Sequence, residues 1–546
     1  MATAALLGIT AAAGATPPAD CKNVYTENGP VNGLADAKTG VCAFKGIPYA
    51  APPVGKLRFT PPQPHEKWSQ PLDTVKYGNI CTQFPMSLTP VKKPSGSEDC
   101  LYLNVWYPAN SEGGKPVMFF IHGGGFVNGS ANESFYEGTR LASKGDLVVV
   151  TINYRLNLFG FLTHPALKDK DGHEGNYGML DQIAALKWVK KNIANFGGDP
   201  ENVTIFGESA GGISVGLLLL SPLADGLFNR AIIESGPALL FGKTAKEDEK
   251  TGLDIASRIG CPDPATAAEC LRNVDPIESV QAARIIGPGM LVSTKEGGIP
   301  IGPVTDGWFL PDKPLNLLRD GKLNRTSGIM AGSNRNEGSL FILKKNIANK
   351  DDAWANYTDD TGKLRDALGF EFYDQKLLDM YLADTSYQTP KKAYEDLIAD
   401  LMFTCPNRIY AKLALAKQPD IYVYNFAVNL ANKDLLKKVE MFSPDLKKQF
   451  ADLGAFHGAE LPFVFGNFNY NGLDLTTKIN TEISNRVIEL WSSFARNGVP
   501  AASGAPEWPK FNAGTTPFMI IDSESKPAEK VKTDQCAIIE KMLTRN

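Results

Sequence analysis

Three short runs constrain this chain more than anything else in it: Val117 to Ile121, Leu147 to Ile152 and Val203 to Phe206. Each is apolar almost without interruption. A strand that faces water on one side alternates apolar and polar residues. Continuous apolarity instead suits strands buried on both faces, as in a mainly parallel sheet covered by helices. Between the second and third runs, Met179, Ile183, Leu186, Val189 and Ile193 recur at spacings of 4, 3, 3 and 4. That spacing predicts one face of a helix, closed by Gly197 and Gly198. From Lys115 the chain therefore reads as βα alternation and predicts an α/β fold with a large, mostly parallel central sheet. The first ~110 residues read as β-rich, with Val24 to Val31, Ala43 to Pro48 and Tyr102 to Trp106 between glycines and prolines. Residues 245 to 420 are richer in charge and helix formers and predict helical cover and insertions over the sheet. No stretch has linker composition, so residues 20–546 read as a single domain.

Composition narrows the class. Hydrophobic residues make up 43% and charged residues 21% of the 546 positions, which excludes wholesale disorder. The 56 Lys and Arg against 60 Asp and Glu leave a net charge of −4, so nothing electrostatic recommends nucleic acid as a partner. No apolar run approaches the ~18 residues of a membrane span. The eight cysteines contain no CxxC pair, which argues against zinc and iron–sulfur sites. Cys261 and Cys270 enclose a short segment with Pro262 and Pro264, which reads as a stapled loop. Residues 2 to 15 are small, apolar and uncharged, and end in Ala13-Gly14-Ala15, an A-x-A pattern. Residues 1–19 thus read as a signal segment, atypical in that the first basic residue is Lys22. The expected location is secreted or periplasmic.

Two motifs carry chemistry. Gly207-Glu208-Ser209-Ala210-Gly211 follows a buried run and opens a helix of small and apolar residues. A G-x-S-x-G pattern alone is frequent by chance, and a serine at a helix start is often only a cap. The strand before it and the helix after it favour an exposed nucleophile on a tight turn. His122-Gly123-Gly124-Gly125-Phe126 ends the Val117 run, 84 residues (209 − 125) before the serine. Glycines after a strand leave main-chain N–H groups bare, as the oxyanion of acyl transfer requires. A flexible loop would not explain that order. A serine hydroxyl needs a base. Of the five histidines, His457 follows the serine in Gly454-Ala455-Phe456-His457-Gly458, whereas His65, His122, His164 and His173 lie in proline-rich, glycine-rich or charged loops. The loop around His173 lacks the glutamate that an EF-hand would need. Many carboxylates lie between 209 and 457, and spacing alone does not choose among them.

The chain resembles the type-B carboxylesterase family of the α/β-hydrolase fold, the group that includes the cholinesterases. The resemblance rests on Phe44-Lys45-Gly46-Ile47-Pro48-Tyr49-Ala50, Glu98 to Asn104, the His122 glycine motif, Asn153-Tyr154-Arg155, Gly197 through Gly212, Val304 to Gly307, Asn336-Glu337-Gly338-Ser339 and His457-Gly458. It implies Glu337 as the third member of a Ser209–His457–Glu337 triad and Gly124, Gly125 and Ala210 as oxyanion donors. It further implies Ser235 as support for the acid and Glu208 as the carboxylate beside the nucleophile. Cys81–Cys100, Cys261–Cys270 and Cys405–Cys536 match family bridges. Cys21 and Cys42 remain, and a bridge between them would staple the N-terminal hairpin. The implied activity is hydrolysis of small-molecule carboxylic esters, with no metal or organic cofactor and a base titrating near the ordinary histidine value of ~6.5. Some relatives in the superfamily have lost the serine and serve as adhesion modules, but all three triad residues are present here. A peptidase could use the same machinery, and the resemblance argues for esters. Choline specificity is not expected, because Thr82 to Asp99 holds no tryptophan, only Phe84 as an aromatic, and both Lys92 and Lys93.

Overall fold

A computed structural model describes residues 20–85, 91–109, 112–287, 298–430, 433–442, 447, 451–470 and 473–545. The expected signal segment, residues 1–19, lies outside the described residues, as does part of the Thr82 to Asp99 loop. Eleven strands form one sheet: β1 Leu34–Ala35, β2 Val41–Pro48, β3 Tyr102–Pro108, β4 Lys115–Ile121, β5 Val148–Ile152, β6 Gly198–Glu208, β7 Arg230–Glu234, β8 Ile329–Asn334, β9 Ile421–Phe426, β10 Phe518–Ile521 and β11 Lys526–Ala528. Their order across the sheet is β11-β10-β9-β8-β7-β6-β4-β5-β3-β2-β1. The pairings from β5 through β4, β6, β7, β8 and β9 to β10 are parallel, and the two flanks are antiparallel.

The uninterrupted apolar runs have a simple cause. Val117, Phe119 and Ile121 of β4 point into one core, and Met118 and Phe120 into a second on the opposite face. Val148 and Val150 oppose Val149 in the same way. Burying one such side chain contributes roughly 1.5–3 kcal/mol, and here successive residues are all buried. Helix α1, Tyr177–Asn192, covers one face. It is buried on more than the single face its spacing predicts: Leu180, Ala185 and Trp188 are enclosed as well.

The motifs outside the site also have structural work. Asn104 accepts the Gly46 amide at 2.9 Å and so joins β3 to β2. Arg58 makes a paired contact with Glu98 at 2.7 and 2.5 Å. Arg155 grips Asp181 of α1 through Nε at 2.8 Å and a terminal nitrogen at 2.7 Å, with both side chains buried. Removing one partner of such a pair costs ~3–5 kcal/mol, because the other charge is left buried. All eight cysteines are bonded, as Cys21–Cys42, Cys81–Cys100, Cys261–Cys270 and Cys405–Cys536. Among the described residues, no helix is long and apolar enough to cross a membrane.

Candidate active site

The carboxyl ends of parallel strands, near the point where strand order reverses, are where such sheets hold ligands. Here β4, β6 and β8 end at the glycine loop, at Ser209 and just before Glu337. Ser209 has φ 56° and ψ −121°, a conformation that non-glycine residues rarely adopt. Its amide donates to the Glu234 carbonyl at 2.9 Å, which holds the turn open between β6 and helix α2, Ala210–Leu218. A Cβ at Gly211 would collide with the Ile121 carbonyl, so the turn can close only with glycine there. Ser209 is partly exposed while its neighbours are buried.

Three main-chain amides are the expected oxyanion donors. Gly124 and Gly125 have φ of 105° and 62°, and a Cβ at Gly124 would collide with the Asn128 carbonyl. Neither amide has a hydrogen-bond partner among the described residues. Ala210 opens α2, where first-turn N–H groups have no intrahelical acceptor.

His457 is drawn to Glu337 on the other side. Its Nδ1 lies 2.6 Å from Glu337 Oε2. Glu337 is fully buried, and its second oxygen accepts the Ser235 hydroxyl at 2.5 Å and the Asn334 amide at 2.6 Å. Among the described residues the imidazole Nε2 has no hydrogen-bond partner, and it lies 3.2 Å from Glu208 Oε1. The other histidines are differently employed. His122 is stacked on Tyr154 at 4.4 Å, and burial holds its pKa down at about 4. His164 accepts an amide through Nδ1, and His173 stacks on Trp308.

Burial alone would lower the pKa of His457. The charges of Glu208 and then Glu337, with the hydrogen bond to Glu337, outweigh it and raise the value to about 9. The expectation of a value near 6.5 is therefore corrected: two carboxylates, not one, flank the ring. Burial pushes Glu208 up to about 7, partly offset by His457, and pushes Glu234 up to about 8. Since a raised pKa keeps the ring protonated to higher pH, kcat/KM should rise with pH through a midpoint above 6.5. Glu208→Gln should bring that midpoint down, because one stabilising charge is gone. A midpoint at or below 6.5 in both proteins, measured from pH profiles, would remove Glu208 from this account.

Several further residues around the ring are not singled out by the sequence reading. Phe341 and Phe403 pack against His457 with ring centroids 5.1 and 4.6 Å away. Glu460, three residues past His457, is buried and accepts the Asn334 amide side chain, and Trp491 donates to Glu234 at 2.7 Å. The spacing of Glu460 from His457 was readable; the aromatic contacts come from distant elements and were not. Among the described residues, Asp169, Asp171 and His173 could hold a metal ion, their ligand atoms lying within 4.8 Å of one another. One Asp169 oxygen there already accepts two amides of its own loop.

Comparison with known proteins identifies the family. The model of the "Carboxylesterase family" matches residues 20–539. The chain is 36% identical over 514 residues to the para-nitrobenzyl esterase of Bacillus subtilis (strain 168), covering 92% of this chain and 95% of that one. It is 35% identical over 530 residues to liver carboxylesterase 1 of Oryctolagus cuniculus, covering 91% and 88%. A solved PNB esterase structure superposes with a TM-score of 0.76 at 33% identity, over 95% of this chain and 100% of that one. The mostly parallel sheet is thus the α/β-hydrolase fold, and the chain belongs to the carboxylesterase family of carboxylic ester hydrolases.

Proposed function

We propose that this protein hydrolyses small carboxylic esters through an acyl-enzyme, with Ser209 as nucleophile, His457 as base and Glu337 as the acid that orients it. The observation that carries this reading is the strained, partly exposed Ser209 directly after Glu208, whose Oε1 lies 3.2 Å from Nε2 of a histidine that is itself hydrogen-bonded through Nδ1 to a buried carboxylate. Ser209 Oγ attacks the ester carbonyl carbon while His457 Nε2 takes its proton. The Gly124, Gly125 and Ala210 amides bind the oxyanion, each typically contributing ~3 kcal/mol of barrier reduction. The imidazolium returns the proton to the departing alcohol. Water then repeats the sequence on the acyl-enzyme. Glu337, itself held by Ser235 and Asn334, keeps Nδ1 protonated and Nε2 free. Glu208, beside the ring, stabilises the imidazolium at both steps.

Choline is not the favoured alcohol in this reading. Among the described residues of the first disulfide loop, Lys92 and Lys93 are exposed and Phe84 packs against the core. An acylcholine should be hydrolysed no better than its neutral 3,3-dimethylbutyl isostere. A tenfold preference for the choline ester in kcat/KM, ~1.4 kcal/mol of cation-specific binding, would refute this. Failure to turn over p-nitrophenyl butyrate at all would refute the esterase mechanism itself. Four disulfides favour an oxidising compartment, secreted or periplasmic, with residues 1–19 as the export signal and 20–546 as one domain.

A further inference from the structure

The segment that brings Phe403 to the imidazole is not a regular helix. Helix α3, Pro390–Ala399, passes into a π-helical turn, Asp400–Thr404, before helix α4, Cys405–Ala414. Such turns insert a residue into a helix and are frequent at functional sites. The π-helical turn begins at Asp400, whose side chain is buried and accepts the Tyr381 hydroxyl. Its charge is met from the far end of the chain: Lys532 Nζ lies 2.6 Å from Asp400 and 2.9 Å from Asp396. Lys532 caps helix α5, Thr533–Thr544, with φ 56° and ψ 34°, so its backbone bears strain to hold the ammonium there. Four residues later Cys536 is bonded to Cys405, immediately after the π-helical turn. Thr404, its last residue, accepts the Ser333 hydroxyl of β8 at 3.2 Å.

We propose that Lys532 is a positioning residue for the active site: its ion pair with Asp400 fixes the π-helical turn that holds Phe403 against His457. The proposal rests on the reading of His457 as the catalytic base. Lys532 touches no reacting atom. It acts by denying the turn its alternative, a regular α-helix in which Phe403 would rotate away from the ring. Rotation would loosen the imidazole and reshape the space beside the scissile ester, where small displacements are costly. The effect should therefore reach both kcat and the choice of acyl chain.

The test uses the full chain and p-nitrophenyl acetate and octanoate. Lys532→Met should lower kcat on the acetate at least about threefold with less change in KM, and shift the octanoate-to-acetate ratio of kcat/KM at least about threefold. Lys532→Arg, which keeps the charge at a largely buried position, should restore both to within about twofold. Because Lys532→Met leaves Asp400 buried and unpaired, the double variant Lys532→Met/Asp400→Asn is made in parallel; it should fold and show the same shift. In a Phe403→Leu background, Lys532→Met should move the ratio no further. A folded variant with wild-type kcat and ratio, or additive effects of Lys532 and Phe403, would overturn the proposal. So would failure of both Lys532→Met proteins to fold, since the contact would then serve stability alone. Turnover that persists after Ser209→Ala would instead overturn the esterase reading, and the two failures are distinct.

Discussion

Ser209→Ala is expected to lower ester turnover by about 10^4-fold or more while leaving the melting temperature nearly unchanged. The substitution keeps the Cβ, so the strain at φ 56° is the same in both proteins. The hydroxyl donates no hydrogen bond within the described residues, so the folded state loses no contact. What disappears is the proposed attacking atom. In the wild type, a fluorophosphonate should attach covalently to the peptide that contains Ser209, and in the variant it should attach nowhere. A variant that keeps more than about a percent of activity, or a label on another peptide, would assign the chemistry elsewhere.

Glu337→Gln should be nearly as damaging, by about 10^3–10^4-fold in kcat. The surrounding donors decide how the amide lies. Ser235 Oγ and the Asn334 amide both donate to one side of the carboxylate. The glutamine must offer them its oxygen, which turns its NH2 toward His457 Nδ1. Nδ1 then accepts, Nε2 carries the hydrogen, and a ring with that tautomer cannot take the proton of Ser209. Glu337→Ala should be no worse than Glu337→Gln if the tautomer is the cause. A Gln variant with kcat within tenfold of wild type would move the orienting role to another carboxylate.

The parts of this architecture that announce themselves in the sequence are those governed by local rules. The apolar runs of β4, β5 and β6 are visible because both faces are buried, and the serine turn because it can be made only from glycine. The helix from Tyr177 showed its period, though not that it would be enclosed on more than one side. Residues 24 to 31 read as one extended piece; the structure divides them into Val24–Tyr25 and Pro30–Asn32, paired antiparallel across a turn at Thr26 to Gly29. Strand β8 was hidden inside a region that reads as helical. Its Ile329-Met330-Ala331-Gly332-Ser333-Asn334 is short and ends in small polar residues, and it owes its form to partners on either side, β7 and β9. That strand is what delivers Glu337. Spacing could not select this carboxylate because the information lies in long-range pairing, and only the family resemblance singled it out. Phe341 and Phe403 were illegible for the same reason. Neither carries a mark in its own neighbourhood that predicts a contact with His457.

The Cys405–Cys536 bond closes a covalent ring 131 residues long in sequence separation, and His457 lies within that ring while Ser209 and Glu337 lie outside it. A single cut at any peptide bond inside the ring opens it without dividing the molecule, because both sides of the cut stay tied through the bridge. The segment bearing His457 then remains leashed to the rest of the sheet, and its return to place is an intramolecular event whose entropic cost grows only slowly with the length of the leash. A nick in the exposed parts of this region is therefore a different kind of injury from a nick between Ser209 and Glu337 outside the short Cys261–Cys270 loop. The ring makes the histidine arm a hinged appendage that can be broken and still be held, and only a reducing agent completes the severance.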